Sequence, residues 1–195
     1  MAFVTPKSMT AFFRKSEGMW FTQRSVHHFD LVADQSGESN ITVTPLEQHD
    51  PKIKEICIAQ GIDPETAAGG ASFIWQDNKD MKEPSPDRAA ILVDIPDDET
   101  KLTGRLLRNQ GYVEQIPVIS RYCFGPDGVL TIDTDYDKQQ GQERCWFVTD
   151  DFRVRVSTVR MVNGVFLMTY CSEQRCVLPD QLQAMVERNK ERAIA

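Results

Sequence analysis

The sequence predicts a mainly β protein, folded as a ten-stranded antiparallel up-and-down barrel. Ten runs have the β-branched and aromatic composition of strands, and from residue 103 onward they follow one another through short turns such as "GPDG" and "NG". A sheet of this length generally closes on itself, because closure removes unpaired edge strands. The runs cover residues 20–33, 39–45, 71–77, 88–94, 103–108, 112–124, 129–136, 142–148, 152–162 and 165–171.

Helix signals occur in the N-terminal, middle and C-terminal parts of the chain. Each pairs a side chain that can cap a helix with a proline that suits the first turn, and apolar residues then follow at helical spacing. We therefore expect three amphipathic helices that pack on the sheet, and one shorter turn. The opening pairs are Thr5-Pro6, Asp50-Pro51 and Pro179-Asp180, with Gly18 and Gly61 closing the first two helices and Asp63-Pro64 opening the short turn.

Composition narrows the class of protein. The 195 residues carry a net charge of -7 with a pI near 5.0, which fits a single domain over 1–195 and argues against a nucleic-acid partner, because phosphate binding requires a basic field. We expect no membrane span and no secretory signal, since no apolar run has the required length, and hence a cytoplasmic protein. Five cysteines without a CxxC pair predict reduced thiols and no metal site.

The stretch "FRVRVSTVR" (152–160) alternates with a period of two. Arg153, Arg155 and Ser157 lie on one face of the predicted strand and the intervening valines on the other. If the valines face inward, the arginines form a surface ladder with Glu143 that contributes at most about 1 kcal/mol. If the arginines face inward, burying them costs several kcal/mol per ion, and the interior must bind an anion. The strand pattern alone leaves both alternatives open.

Turn lengths predict which residues share the arginine face. We expect a two-residue turn at Asn163-Gly164 and a three-residue loop at 149–151; a two-residue loop in its place would reverse the register. Together these turns place Glu143 and Tyr170 beside the arginines. The expected pairs are Val162–Val165, Met161–Phe166, Ser157–Tyr170 and Arg155–Ser172 in the last hairpin, and Val148–Phe152, Phe147–Arg153, Cys145–Arg155 and Glu143–Ser157 in the preceding one.

Six stretches in chain order carry a family resemblance. They read "TPKSMTAFF", "WFTQRSVHHF", "GIDPETAAGGASFIW", "GYVEQIPVISRYCFGPDGVLTIDTDY", "QERCWFVTDDFRVRVSTV" and "YCSEQR". The sequence resembles the S-type phycobiliprotein bilin lyases of cyanobacteria from about residue 5 to 175, apart from the loop near 78–87. The resemblance implies a lipocalin-like barrel, similar also to the fatty-acid-binding proteins, and "GMW" at 18–20 is similar to the lipocalin G-x-W at the start of the first strand.

The resemblance also implies a function and a site. Members of that family bind an open-chain tetrapyrrole and attach it through a thioether bond to a cysteine of an apo-phycobiliprotein, here expected to be a β subunit, with the α subunit left open. The expected substrate is phycoerythrobilin or phycocyanobilin, and no prosthetic group is expected. Matching the motifs residue by residue, and adding Tyr170 from the hairpin argument, gives a bilin-binding set of Arg24, Trp75, Arg153, Arg155, Ser157 and Tyr170, with Glu143 and Arg153 as catalytic residues.

Other functions remain open at this point. A bilin or fatty-acid carrier without transfer activity uses the same barrel, and an assembly chaperone that recognises the phycobiliprotein needs no pigment at all. Where the family more often reads "RLRTS", this chain has Val154 and Val156, and its loop "QDNKDMKEPSPD" is shorter and less acidic than usual. These differences bear on which bilin and which client cysteine are used. The oligomeric state is also open, with a homodimer as one alternative.

Overall fold

Ten antiparallel strands form one closed barrel, as predicted. The structure is a computed structural model that describes residues 4–29, 34–77, 89–109, 117–161 and 164–176. Each strand pairs with its neighbours in sequence, and β1 pairs with β10 to close the ring. The strands are β1 (Gly18–His28), β2 (Gln35–Leu46), β3 (Gly69–Asp77), β4 (Ala89–Pro96), β5 (Thr103–Arg108), β6 (Val118–Phe124), β7 (Leu130–Asp135), β8 (Gln140–Thr149), β9 (Phe152–Met161) and β10 (Gly164–Arg175).

The strand boundaries differ from the predicted ones mainly at the ends of three strands. β1 stops at His28, β2 already begins at Gln35, and β10 continues to Arg175. Several predicted features lie outside the described residues: the strand segments 30–33, 88, 112–116 and 162, the turn residue Asn163, the loop 78–87, and the helix expected after Pro179. The single domain over 1–195 stays a prediction for the same reason.

The first helix starts later than its proline suggests. Helix α1 (Met9–Ser16) is capped by Ser8, whose hydroxyl accepts a hydrogen bond of 3.2 Å from the Ala11 N–H, so the predicted cap at Thr5 is wrong. A serine hydroxyl at the N-cap satisfies one of the backbone donors that the first turn leaves free. Helix α2 (Pro51–Ala59) does begin as predicted, with Asp50 accepting from the Lys52 N–H at 2.9 Å.

Helix α1 fills one end of the barrel. Met9, Phe12 and Phe13 are buried with Trp20 and Phe147 in one apolar cluster, and the Phe12 and Phe147 rings lie 5.4 Å apart. The Trp20 indole N–H donates to the Ser16 carbonyl at 2.7 Å and so ties the helix to β1. The open part of the lumen therefore lies between α1 and the opposite strand ends.

Helix α2 packs on the outside of the wall. Ile53 and Cys57 join Val93 and Leu107 in a second buried cluster, while the sequence neighbours of those two strand residues face the lumen. A short 3-10 turn, Pro64–Thr66, follows with Asp63 as its cap. Among the residues that the structure describes, no helix has the length and apolar character needed to span a membrane.

A bulge in β8 preserves the predicted face of the site. The turn between β8 and β9 has two residues, Asp150 and Asp151, and Thr149 pairs with Phe152, so the expected three-residue loop and the Val148–Phe152 pair are wrong. A register shift between Phe147 and Thr149 adds one residue to β8, which restores the alternation. The pairs Phe147–Arg153, Cys145–Arg155 and Glu143–Ser157 are consequently confirmed.

The last hairpin differs from the prediction by one residue. Its first pair is Met161–Gly164, not Val162–Val165, and β10 has a bulge between Val165 and Leu167. The different first pair and the bulge together shift β10 by one position, which exchanges its two faces. The expected pairs Ser157–Tyr170 and Arg155–Ser172 are therefore wrong, as is Met161–Phe166. The observed partners are Thr169 for Ser157, Cys171 for Arg155 and Glu173 for Arg153.

Candidate functional site

The arginines of β9 face the interior of the barrel. Arg153 is 3% exposed, Arg155 borders the central cavity, and both pair with buried residues of β8, namely Phe147 and Cys145. Ser157 follows on the same face. The alternative of an exposed arginine ladder is therefore excluded.

The central cavity has a polar wall and an apolar remainder. It offers about 500 Å³ of space, part of which is open to solvent. Its floor is formed by apolar side chains of α1, and aromatic rings of β3 line the side of the cavity. The polar residues that line it come only from β8, β9 and β10 among the described strands: Glu143, Cys145, Arg153, Arg155 and Glu173.

A buried carboxylate joins the two arginines. Glu173 is 1% exposed; it accepts a hydrogen bond from Arg153 Nε, and its other oxygen accepts from Arg155 Nη2 at 3.1 Å. Arg153 also donates to Ser16 Oγ at 2.7 Å and stacks on the Trp20 ring, with its guanidinium carbon 4.5 Å from the centroid. Arg153 is thus held on several sides, while Arg155 keeps a side chain that is 24% exposed.

Electrostatics keep Glu173 ionised. Burial alone would raise the pKa of its carboxyl, but the guanidiniums of Arg153 and Arg155 outweigh burial and hold the pKa below its usual range. Two positive charges therefore share one negative charge in this part of the lumen. A buried excess of positive charge is costly unless an anion neutralises it.

Glu143 forms a second ion pair on the inner face of the barrel, with an arginine of a strand that is not its neighbour. Its Oε2 lies 3.4 Å from Nη2 of Arg108, which is the last residue of β5. The Arg108 side chain is 1% exposed and that of Glu143 is 20% exposed. Two strands, β6 and β7, lie between β5 and β8, so this contact bridges the inner face of both.

A row of four residues crosses the site from β8 to β1. Cys145 pairs with Arg155, Arg155 with Cys171, and Cys171 with Arg24, so these side chains share one face. Arg24 is exposed on this face, where it lies two positions from buried Thr22. Burial raises the pKa of Cys145 to about 12 despite the nearby Arg153, and burial also raises the pKa of Cys171. The two thiols are therefore protonated at neutral pH.

Trp75 and Tyr170, the two aromatic residues predicted to contact the ligand, lie on opposite faces of the barrel. Trp75 borders the cavity and stacks on Phe73, with ring centroids 6.3 Å apart and planes 24° from parallel. Tyr170 instead pairs with Val156 and is 44% exposed. Its predicted place on the arginine face is wrong, because the shift in β10 turns it outward. It is not retained as a site residue.

Comparison with known proteins identifies the family. A family model described as CpeS-like protein matches residues 8–176. The chain belongs to the CpeS-like family. A chromophore lyase CpcS/CpeS 4 of Trichodesmium erythraeum (strain IMS101) is 61% identical to it over 188 residues, which cover 96% of this chain and 97% of the relative. The predicted family is thereby confirmed.

Two further relatives agree with this assignment to the CpeS-like family. The phycocyanobilin lyase subunit CpcS of Picosynechococcus sp. (strain ATCC 27264 / PCC 7002 / PR-6) is 35% identical and covers 84% of each chain. The solved structure of the S-type phycobiliprotein lyase CPES from Guillardia theta superposes with a TM-score of 0.71 at 27% identity, covering 88% of this chain and 94% of that one. The predicted enzyme class is confirmed at the level of a family of chromophore lyases.

Three residues of this CpeS-like site are absent from the set predicted from the sequence. Glu173 is the counter-ion of both arginines, Ser16 links Arg153 to α1, and Arg108 pairs with Glu143. Glu173 lies inside the quoted motif "YCSEQR", and a correct register in the last hairpin places it opposite Arg153. Arg108 has no such local signal, since two strands separate it in sequence from the strand of Glu143.

Proposed function

We propose that this chain binds an open-chain tetrapyrrole in its lumen and joins it through a thioether bond to a cysteine of an apo-phycobiliprotein. The observation that carries the proposal is the polar wall: two arginines share a single carboxylate beside an otherwise apolar cavity. A phycobilin matches this arrangement, because it combines a large apolar π system with two propionate groups. Membership of the CpeS-like family and the names of its relatives support the same reading.

The arginines hold the propionates. Arg155, whose side chain is 24% exposed and borders the cavity, makes the direct contact, whereas Arg153 is bound by Glu173 and Ser16 and fixes the position of this anion site. Ser157 adds a hydroxyl on the same face, and Arg24 attracts the ligand from the more exposed end of the row. Each charged hydrogen bond contributes about 1.5 to 3 kcal/mol.

The tetrapyrrole rings occupy the apolar part of the cavity. Trp75 and Phe73 present a pair of nearly parallel rings on the wall of β3, which suits stacking against a flat conjugated system. Contacts on both sides hold the bilin in one geometry. Fixing the orientation of a reactant in this way lowers the entropic part of the barrier to reaction.

Glu143 activates the bilin. Its carboxylate faces the cavity and stabilises the protonated form of the ring nitrogens, which makes the conjugated system more electrophilic. The client thiol then adds across the exocyclic double bond of the reactive ring: sulfur bonds to the outer carbon, the π bond breaks, and the thiol proton is delivered to the ring carbon. The attacking sulfur belongs to the client, because the lumenal thiols Cys145 and Cys171 are protonated.

Co-expression tests the proposal. The chain is produced together with an apo-phycobiliprotein β subunit and either phycocyanobilin or phycoerythrobilin synthesis, and the client is examined on a denaturing gel by zinc-enhanced fluorescence. We expect a fluorescent client band with the wild type that disappears with Glu143→Gln or Arg155→Gln. The matched control is Glu38→Gln, an exposed glutamate on the outer face of β2, which should leave the band unchanged.

The other outcomes select the other functions. If pigment remains with the purified barrel and no client band forms with either bilin, the protein is a carrier and the transfer step is wrong. If the chain binds the client but takes up no pigment, it is an assembly chaperone. An α subunit tested in parallel determines which client subunit is used.

A further inference from the structure

The described lumen contains more guanidinium than carboxylate groups. Arg24, Arg108, Arg153 and Arg155 face it, while only Glu143 and Glu173 carry carboxylates there among the described side chains above α1. Asp94 lies lower, hydrogen-bonded to Tyr122 and Thr10, and burial raises the pKa of its carboxyl. With the exposed Arg24 included, the excess is two positive charges, which equals the charge of a dicarboxylate. One anion-binding wall at β9 does not account for the whole of it.

Arg108 is the guanidinium that lies apart from that wall. It ends β5, faces the same side as buried Leu106, and reaches Glu143 on β8. The inner face between them carries Ser120 and Thr134, whose hydroxyl oxygens are 2.7 Å apart. This stretch of the inner face is therefore polar as well.

The Arg108–Glu143 contact is loose. Charge-assisted N–H···O bonds are usually about 2.7–2.9 Å long, whereas this N···O distance is 3.4 Å. A buried guanidinium that is weakly held by its carboxylate can exchange it for another carboxylate with little loss. The Glu143 oxygen released in the exchange faces the cavity, where Glu143 already lies.

We propose that Arg108 is a second carboxylate anchor: one propionate of the ligand displaces Glu143 from Arg108, and the other binds Arg155. The inference rests on the proposed function, because it takes the ligand to be a linear tetrapyrrole dicarboxylate. Binding by this route couples two events, since the propionate that takes Arg108 frees Glu143 to turn to the ring nitrogens. The chain would then distinguish a diacid from the same pigment without free carboxylates.

The test compares phycocyanobilin with its dimethyl ester. Affinities of both ligands for the purified full chain are measured by absorbance titration in the wild type, Arg108→Gln, Arg108→Lys and the control Arg121→Gln, an exposed arginine on β6. We expect Arg108→Gln to weaken diacid binding by about tenfold or more and to leave ester binding within about twofold. Arg108→Lys should retain most of the diacid preference, and the control should behave as the wild type.

Equal losses of affinity for the diacid and the ester would overturn the proposal. A residue that only stabilises the barrel wall should affect both ligands alike, because it does not contact their carboxylates. No loss for either ligand would overturn it too. If Arg108→Gln does not fold, the double variant Arg108→Gln/Glu143→Gln removes both charges together, and its diacid preference should still be reduced.

The same measurements separate this inference from the proposed function. A wild type that binds neither ligand overturns both proposals. A wild type that binds the diacid and labels the client, with Arg108→Gln unchanged in its ratio of diacid to ester affinity, overturns the anchor alone.

Discussion

At the scale of single residues, Glu173 is the carboxylate of the polar wall that pairs with two arginines. It neutralises Arg153 and Arg155 together and is almost completely removed from water. Removing one member of a buried ion pair destabilises the fold more than replacing both members with apolar residues, because the remaining charge is left buried without a partner. The site is therefore built on a strong internal neutralisation that is incomplete by one charge.

Replacing Glu173 should be costly. We expect Glu173→Gln to lower the free energy of unfolding by about 3–5 kcal/mol, because two buried guanidiniums lose their counter-ion. Urea denaturation followed by circular dichroism measures the change. Glu55→Gln, at an exposed position of α2, serves as the control and should change stability by less than about 0.5 kcal/mol. A loss for Glu173→Gln no larger than the control would show that the arginines do not need this carboxylate.

The same pair predicts a dependence of stability on pH. The pKa of Glu173 is lower in the folded chain than its usual value, so its stabilising contribution is complete above the usual pKa of glutamate and is lost as the pH falls through the folded-state pKa. The stability difference between the wild type and Glu173→Gln should therefore shrink on acidification. Denaturation curves at a series of pH values between neutral and acid check this, and a difference that stays constant would contradict it.

The residue scale also shows what sequence patterns can and cannot reveal. Alternation places Arg153, Arg155 and Ser157 on one face, and the confirmed pair Glu143–Ser157 adds the glutamate to that face; the strand pattern did not reveal that the face points inward. The contact between Arg108 and Glu143 could not be predicted in this way, because the two residues approach each other only once the sheet has closed. Contacts made across a lumen have no periodic signature in the sequence.

At the scale of elements, two bulges decide the register of the site. In β8 the extra residue compensates for a turn that is one residue shorter than predicted, and in β10 the bulge and a different first pair exchange the expected faces. Sequence alternation identifies a strand but does not reveal an inserted residue, because a bulge changes the count without changing the composition. The location of Tyr170 was wrong for this reason alone.

Two single-residue deletions in β8 should have opposite effects on the site. Val148 lies within the bulge and is 51% exposed; its deletion makes the Thr149–Phe152 and Phe147–Arg153 pairs consecutive, so Glu143 should still face the lumen and bilin binding should be retained. Deletion of Arg144, in the regular part of the strand, instead moves Glu143 opposite Val156, which exchanges its face and should abolish bilin binding. Thermal unfolding and absorbance titration measure both variants; equal binding by the two would contradict the argument.

The start of α1 offers a second test at this scale. Ser8→Ala removes the cap that accepts from Ala11 and should lower stability by about 1 kcal/mol. Thr5→Val removes the hydroxyl of the cap predicted from the Thr5-Pro6 pair and should have a smaller effect. Urea denaturation ranks the two variants. The reverse order would place the functional start of the helix at Thr5.

At the scale of the whole molecule, the lining of the barrel changes from apolar at one end to charged towards the other. Helix α1 and its aromatic contacts fill one end, the polar wall lies above them, and Arg24 and Arg108 lie nearer the opposite strand ends. The ten-strand architecture was predictable, because consecutive hairpins and the need to hide sheet edges leave few other solutions. The charge balance of the lumen was not, since it depends on which of several registers each hairpin adopts.

One residue holds the ends of this architecture together. Arg175, the last residue of β10, stacks on Trp20 at 4.3 Å and donates to the carbonyls of Lys15, at 2.7 Å, and Glu17. We expect Arg175→Gln to lower the free energy of unfolding by about 2–4 kcal/mol, because it loosens α1, β1 and β10 together. Gln174→Ala, at the exposed neighbouring position, is the control, and thermal unfolding is the measurement. Equal stability of the two variants would show that strand pairing alone closes the barrel.

The pairing of β1 with β10 also has a consequence during synthesis of the chain on the ribosome. Translation adds about 5–20 residues per second, so β1 leaves the ribosome on the order of ten seconds before the strand that completes its pairing. During that interval β1 has an open edge and Trp20 lacks the guanidinium that later covers it. The nascent chain thus carries an unpaired strand edge, with which other chains can pair, until synthesis reaches β10.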